Sequence, residues 1–159
     1  MHRKILTIIA AALFSFGAFA QQIPTLELKD AKGKTVTTAS LIDHKTPFAI
    51  TFWASWCRPC QLELETLADV APDWKEPVRI YAICVDDARS ISRAKALAAS
   101  SDWPVTVLYD TNAKFAKVMD VATIPHVFVF DKEGKRIYSH SGFIPGDENT
   151  LIEKLTGAK

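Results

Sequence analysis

Two cysteines, Cys57 and Cys60, stand two residues apart in the run Trp56-Cys57-Arg58-Pro59-Cys60 of this 159-residue chain. The stretch ahead of them, Pro47-Phe48-Ala49-Ile50-Thr51-Phe52-Trp53, is β-branched and aromatic and reads as a buried strand. The stretch after them, Gln61 to Ala71, carries leucines at helical spacing. A Cys-x-x-Cys between a strand and a helix start suits thiol–disulfide exchange, because the unpaired backbone N–H groups and the dipole at that end favour a thiolate. Cys57 is then the more exposed and more acidic sulfur, which attacks a partner's disulfide, and Cys60 resolves the mixed disulfide. Arg58 adds a positive charge beside the thiolate. Pro59 suits a first helical turn, where its missing N–H leaves no bond unmade. An inert structural disulfide and half of a zinc site are the alternatives. Zinc needs further ligands, and beyond the first twenty residues the chain offers only Cys84, His44, His126 and His140, with no second pair at zinc-finger spacing.

Glu63 is the next residue with chemistry in it. The apolar stripe of its helix runs Cys60, Leu64, Leu67, Ala68, Ala71, and Glu63 falls in the same sector, while Gln61, Glu65 and Asp69 take the polar side. Helical side chains lean toward the N-terminus, so its carboxylate leans back toward the dithiol. Shielded from water, it has a raised pKa and exchanges protons with a cysteine. Cys84, in the apolar run Ile80–Val85, reads as an inert core thiol. His126 reads as a packed strand histidine, Trp56 as an apolar surface beside the cysteines, and Phe52 and Trp53 as core.

Alternating strand and helix signals surround these residues. Thr25–Leu28 and Thr35–Thr37 flank Lys32-Gly33-Lys34 as a hairpin, and Ser40 caps a short helical turn at Leu41-Ile42. The strand at Phe48–Trp53 is followed by the helix after Cys60, which stops by Pro72. Further strands are expected at Val78–Val85, Val105–Tyr109, Pro125–Phe130 and Arg136–His140, the last two joined by the turn Asp131-Lys132-Glu133-Gly134. Helices are expected at Ser90–Ser100, Ala113–Met119 and Asp147–Leu155. Helices between strands imply an α/β sandwich, and the late hairpin makes its sheet mixed.

The N-terminus reads as a secretory signal peptide over residues 1–20, leaving 21–159 as one domain. Met1-His2-Arg3-Lys4 is basic, Ile5 to Phe16 is apolar apart from Thr7 and Ser15, and Ala18-Phe19-Ala20 is an A-x-A site. An uncleaved anchor is the alternative, but Ile5 to Ala20 makes only about 24 Å of helix against a hydrocarbon core of roughly 30 Å. Loss of Arg3 and Lys4 shifts the formal charge from +1 to −1. Such a chain, without a basic run, gives no support for nucleic-acid binding.

Four segments in order resemble the thioredoxin superfamily, and within it the secreted TlpA/ResA-like thiol–disulfide oxidoreductases. They are Pro24-x-Leu26-x-Leu28-Lys29-Asp30 with Gly33-Lys34 and Ser40-Leu41; Phe52 to Cys60; Thr123-Ile124-Pro125; and Gly142 to Glu148. The resemblance implies a thioredoxin-like three-layer sandwich with a mixed central sheet, helices on both faces and an N-terminal β-hairpin extension. It implies a redox-active disulfide between Cys57 and Cys60, and Glu63 as the acidic member of a Cys-x-x-Cys-x-x-Glu pattern. It also implies a cis bond before Pro125, with Ile124 pairing to substrate alongside Trp56, Arg58 and Pro59. By the same resemblance the protein is an exported, periplasmic monomer without cofactor or metal that reduces protein disulfides. Haem-attachment cysteines of cytochrome c are one substrate class, and a membrane thiol carrier is the electron donor. An oxidant or isomerase and a thiol peroxidase are the competing functions. One departure stands out: cytosolic thioredoxins keep a buried aspartate six residues before the first cysteine, where this chain has Thr51.

Overall fold

The computed structural model describes residues 21–157; the segment read from the sequence as a signal peptide, residues 1–20, lies outside them. Strands β1 (Glu27–Lys29), β2 (Thr35–Thr37), β3 (Phe48–Trp53), β4 (Ile80–Cys84), β5 (Thr106–Tyr109), β6 (His126–Phe130) and β7 (Arg136–Ser141) form one sheet in the order β2-β1-β5-β4-β3-β6-β7. β3, β4 and β5 run parallel, while β6, β7 and the β1–β2 hairpin pair antiparallel. The sheet is therefore mixed, with the hairpin as an N-terminal extension on β5.

β3 lies inside the sheet and is buried at all six positions. Such a strand must be apolar on both faces, which is why its sequence shows a continuous run instead of alternation. Ala49 and Trp53 face a core shared with Leu64, Leu67, Ala94, Leu151 and Leu155. These residues come from helices α1 (Arg58–Val70), α2 (Ile91–Ser100) and α4 (Asp147–Thr156). Phe48, Ile50 and Phe52 face a second core with Leu28, Leu41, Phe115 and Met119, under helix α3 (Lys114–Val118) and the hairpin. Each fully buried aromatic of β3 contributes about 1.5–3 kcal/mol of hydrophobic stabilisation. Thr51, the strand's one polar side chain, faces α1.

α1 begins at Arg58 with Cys57 as its N-cap, and Pro59 occupies the first turn. It ends at Val70, where Pro72 turns the chain into a 3-10 segment, Ala71–Asp73. One local expectation is corrected. The first short helical segment is a 3-10 turn over Thr38–Leu41, and the extended Thr37 precedes it as N-cap. Ser40 lies inside that turn, its hydroxyl donating back to the Thr37 carbonyl at 2.7 Å, so it is not the cap. A hydroxyl is free to bond either way in a single turn, so residue type alone did not fix the position. β7 also runs one residue further than expected, to Ser141, opposite His126. Among the described residues, no helix is long and apolar enough to cross a membrane.

Candidate active site

Cys57 and Cys60 are joined in a disulfide, S–S 2.02 Å with Cα atoms 5.3 Å apart. Helical geometry brings them together: Cys57 is the last extended residue, and the backbone N–H of Cys60 points at its sulfur across 3.3 Å. Cys57 keeps 6% of its surface exposed and Cys60 none, so an incoming thiol reaches Cys57 alone. The Ile124–Pro125 bond is cis, and the Ile124 carbonyl oxygen sits 3.8 Å from the Cys57 sulfur. Trp56 stands out at 62% exposed, whereas Phe52 and Trp53 are fully buried. Between Trp56 and α3 runs an apolar groove of about 520 Å³ that includes Val85, Ala116, Lys117, Val121 and Ile124.

Glu63 is 3% exposed. The Thr51 hydroxyl donates to its Oε2 at 2.6 Å. Burial pushes the Glu63 carboxyl up to about 7; the Thr51 hydrogen bond opposes that, and the negative charge of Asp147 adds to it. A carboxyl poised near neutrality can both take and give a proton at physiological pH.

Two side chains behave differently from the sequence expectation or go beyond it. The Arg58 guanidinium, 70% exposed, pairs with Glu65 at 3.0 Å, so its charge is shared with a carboxylate two turns along α1 instead of being held for Cys57. His126 stacks on Phe128 with ring centroids 4.4 Å apart, and its Nε2 lies 3.0 Å from the Ser139 hydroxyl. Its Nδ1 is buried without a partner, and burial, followed by the charges of Arg136 and His140, lowers its pKa. Cys84 is free and fully buried, as expected, and burial pushes its thiol well above the usual range.

The sequence reading missed Asp86. Fully buried, it accepts from the Ser55 backbone N–H and hydroxyl, each at 2.7 Å, and from the Cys84 thiol at 3.3 Å. The Ser55 carbonyl accepts from the Gln61 side-chain amide at 2.8 Å. Ser55, two residues before Cys57, is thereby clamped from both sides. The available signal was the acid two residues after Cys84 at a strand end, since positions i and i+2 share a face. Also missed was the company around Glu63. A narrow cavity beside it is lined by Tyr138, His140, Phe143, Asp147 and Glu148. No group of three or more His, Cys, Asp or Glu among the described residues is placed to hold a metal ion.

Residues 19–138 match the profile of the AhpC/TSA family. The thiol–disulfide oxidoreductase ResA of Bacillus thuringiensis is 30% identical over 118 residues, 74% of this chain and 60% of that protein. The chain thus spans about three fifths of the length of the curated relatives it matches. An uncharacterized thioredoxin-like protein of Porphyromonas gingivalis superposes with a TM-score of 0.71 at 38% identity, covering 87% of this chain and 91% of that one. A putative thiol:disulfide interchange protein DsbE of Chlorobium tepidum shares the fold, with a TM-score of 0.70 at 22% identity over 85% of this chain and 93% of that one.

Proposed function

We propose, from the premise that this chain belongs to the AhpC/TSA family and has a thioredoxin-like fold, that it is an extracytoplasmic thiol–disulfide oxidoreductase acting as a reductant of protein disulfides. One observation carries the reading: the Cys57–Cys60 disulfide exposes only its outer sulfur, beside a backbone carbonyl and an exposed tryptophan. In the reduced protein the Cys57 thiolate attacks a substrate disulfide, forming a mixed disulfide and releasing the first substrate sulfur. Cys60 then gives its proton to Glu63 and attacks Cys57, releasing the second sulfur and restoring the internal disulfide. A thiol carrier in the membrane returns two electrons to the pair. Trp56, Arg58, Pro59, Ile124 and Pro125 form the docking edge, with the substrate backbone laid along Ile124. Cysteines of haem-attachment sites are the substrate class we favour, and the protein works as an exported monomer after residues 1–20 are removed.

The test is trapping in vivo with Cys60→Ser, which stalls the reaction at the mixed disulfide on Cys57. Captured cytochrome or other secreted proteins, from cells where the wild-type pair is kept reduced, support a reductant. A pair that stays oxidised and hands its disulfide to reduced substrates overturns it.

A further inference from the structure

Resting on the reading of Glu63 as the proton acceptor for Cys60, one question is where that proton goes next. Cys60 is fully buried and Glu63 only 3% exposed, so the dithiol side offers no outlet to water. Glu63 also borders a cavity that reaches the half-exposed His140. Lying between α1, β7 and α4, it measures about 10 Å³, close to the space one water needs.

Most elements packed around the carboxyl line that space, β3 excepted. β3 presents the Thr51 hydroxyl, which is committed to Oε2. α1 and β6 add only Leu67 and Val127, and the turn before α4 adds Phe143. β7 brings the Tyr138 phenol and the His140 imidazole, and α4 brings Asp147 and Glu148. Glu148 is occupied: its Oε2 accepts from the Gly146 N–H at 2.7 Å and its Oε1 from the Asn149 amide at 3.0 Å. Asp147 is differently placed. Its Oδ2 accepts from the Ile144 N–H at 2.9 Å and lies 3.2 Å from Nε2 of His140. His140 in turn is 40% exposed and meets bulk water. Asp147, itself 26% exposed, and the half-exposed His140 thus carry the lining of the cavity from Glu63 to the surface.

We propose that this cavity is the proton port of the dithiol site, through which Glu63 exchanges its proton with solvent by way of Asp147 and His140. A water in the cavity accepts the proton from the Glu63 carboxyl and passes it to the Asp147 carboxylate. The His140 imidazole carries it to solvent, and Glu63 is left as the carboxylate ready for the next Cys60 proton. No electrons move in these steps. Asp147 and His140 touch neither sulfur nor substrate, so they are relay residues.

Chemical rescue tests this. The reduced protein is mixed with a peptide disulfide in dilute buffer at about pH 6, where most Glu63 carboxyls start protonated and must discharge through the port before Cys60 can close, and closure of the internal disulfide is followed by tryptophan fluorescence. His140→Ala slows closure by up to about 10²-fold, the low end of what acid–base groups contribute, and free imidazole restores it. The wild type does not respond to imidazole. Asp147→Asn keeps an acceptor for the Ile144 N–H and is the second variant, useful if His140→Ala folds poorly. It slows closure too, and the Glu63 titration seen by carboxyl carbon NMR moves to lower pH. A His140→Ala protein with the wild-type rate, or one slowed but not rescued, overturns the port. If Glu63→Gln closes normally at every pH, the role of Glu63 itself falls. If Glu63→Gln is slow and both relay variants are normal, only the port falls.

Discussion

The Thr51 hydroxyl on β3 donates to Glu63 on α1 at 2.6 Å. The strand position where cytosolic thioredoxins keep an ionisable aspartate is thus filled by a group that cannot ionise but holds one that can. Thr51 stabilises the charged form of Glu63, while burial and Asp147 oppose it. Thr51→Val should therefore move the Glu63 titration above its present value near 7, and the acid limb of the exchange-rate profile with it. The lost bond to a chargeable group costs about 1.5–3 kcal/mol at alkaline pH. Carboxyl carbon NMR of the two proteins checks the direction; an unchanged midpoint counts against Thr51 as the tuning partner.

Stability should depend on pH through the same residue. Below pH 4.5, Glu63 is protonated in both the folded and the unfolded chain and adds no pH dependence. Between 4.5 and about 7 the unfolded carboxyl ionises while the folded one keeps its proton, so stability falls as pH rises, and above 7 the loss is complete. The displacement corresponds to about 3 kcal/mol. Glu63→Gln removes it, so denaturant unfolding at pH 4 and pH 8 should show the variant gaining on the wild type by roughly that amount at the higher pH.

Asp86→Ala should loosen the loop that carries Trp56 and Cys57. It strands the Ser55 N–H and hydroxyl, each orphaned donor costing about 1–3 kcal/mol. Unfolding experiments read the stability loss. Hydrogen exchange reads the loop: the Ser55 amide should lose protection before the amides of β3 do. A variant that keeps both denies Asp86 its positioning role.

Cys84 should resist thiol reagents in the folded protein while Cys57 of the reduced form reacts at once. Cys84→Ala removes one buried heavy atom, at about 1 kcal/mol by analogy with Ile→Val, and should leave exchange activity intact. Modification of Cys84 under native conditions, at a rate near that of Cys57, would falsify its assignment to the core.

Local rules carried much of this molecule from the sequence. β3 was legible because a strand buried on both faces must be apolar throughout, and α1 because Pro59 and the leucine spacing mark its start and inner face. Glu63 was legible as an acid on that inner face. The cavity beside it was not, since Asp147 and His140, which line it, stand more than seventy positions further along and nothing in the sequence near Glu63 points to them. Arg58 shows the same limit from the other side. Adjacency to Cys57 suggested a charge for the thiolate, but a long exposed side chain is free to reach Glu65 two turns away. Asp86 was hidden because its role belongs to Ser55, thirty-one positions earlier.

The place of α4 over Glu63 also bears on the life of the chain before it is whole. Cys57 and Cys60 leave the ribosome early, and a short peptide containing them already has both thiols. What surrounds and tunes Glu63, Asp147 on α4 and Val127 on β6, is made only much later in the chain. Such distant pairings form late in folding as well as late in synthesis. The growing polypeptide therefore holds ordinary thiols, and the tuned couple comes into being only when the C-terminal helix docks.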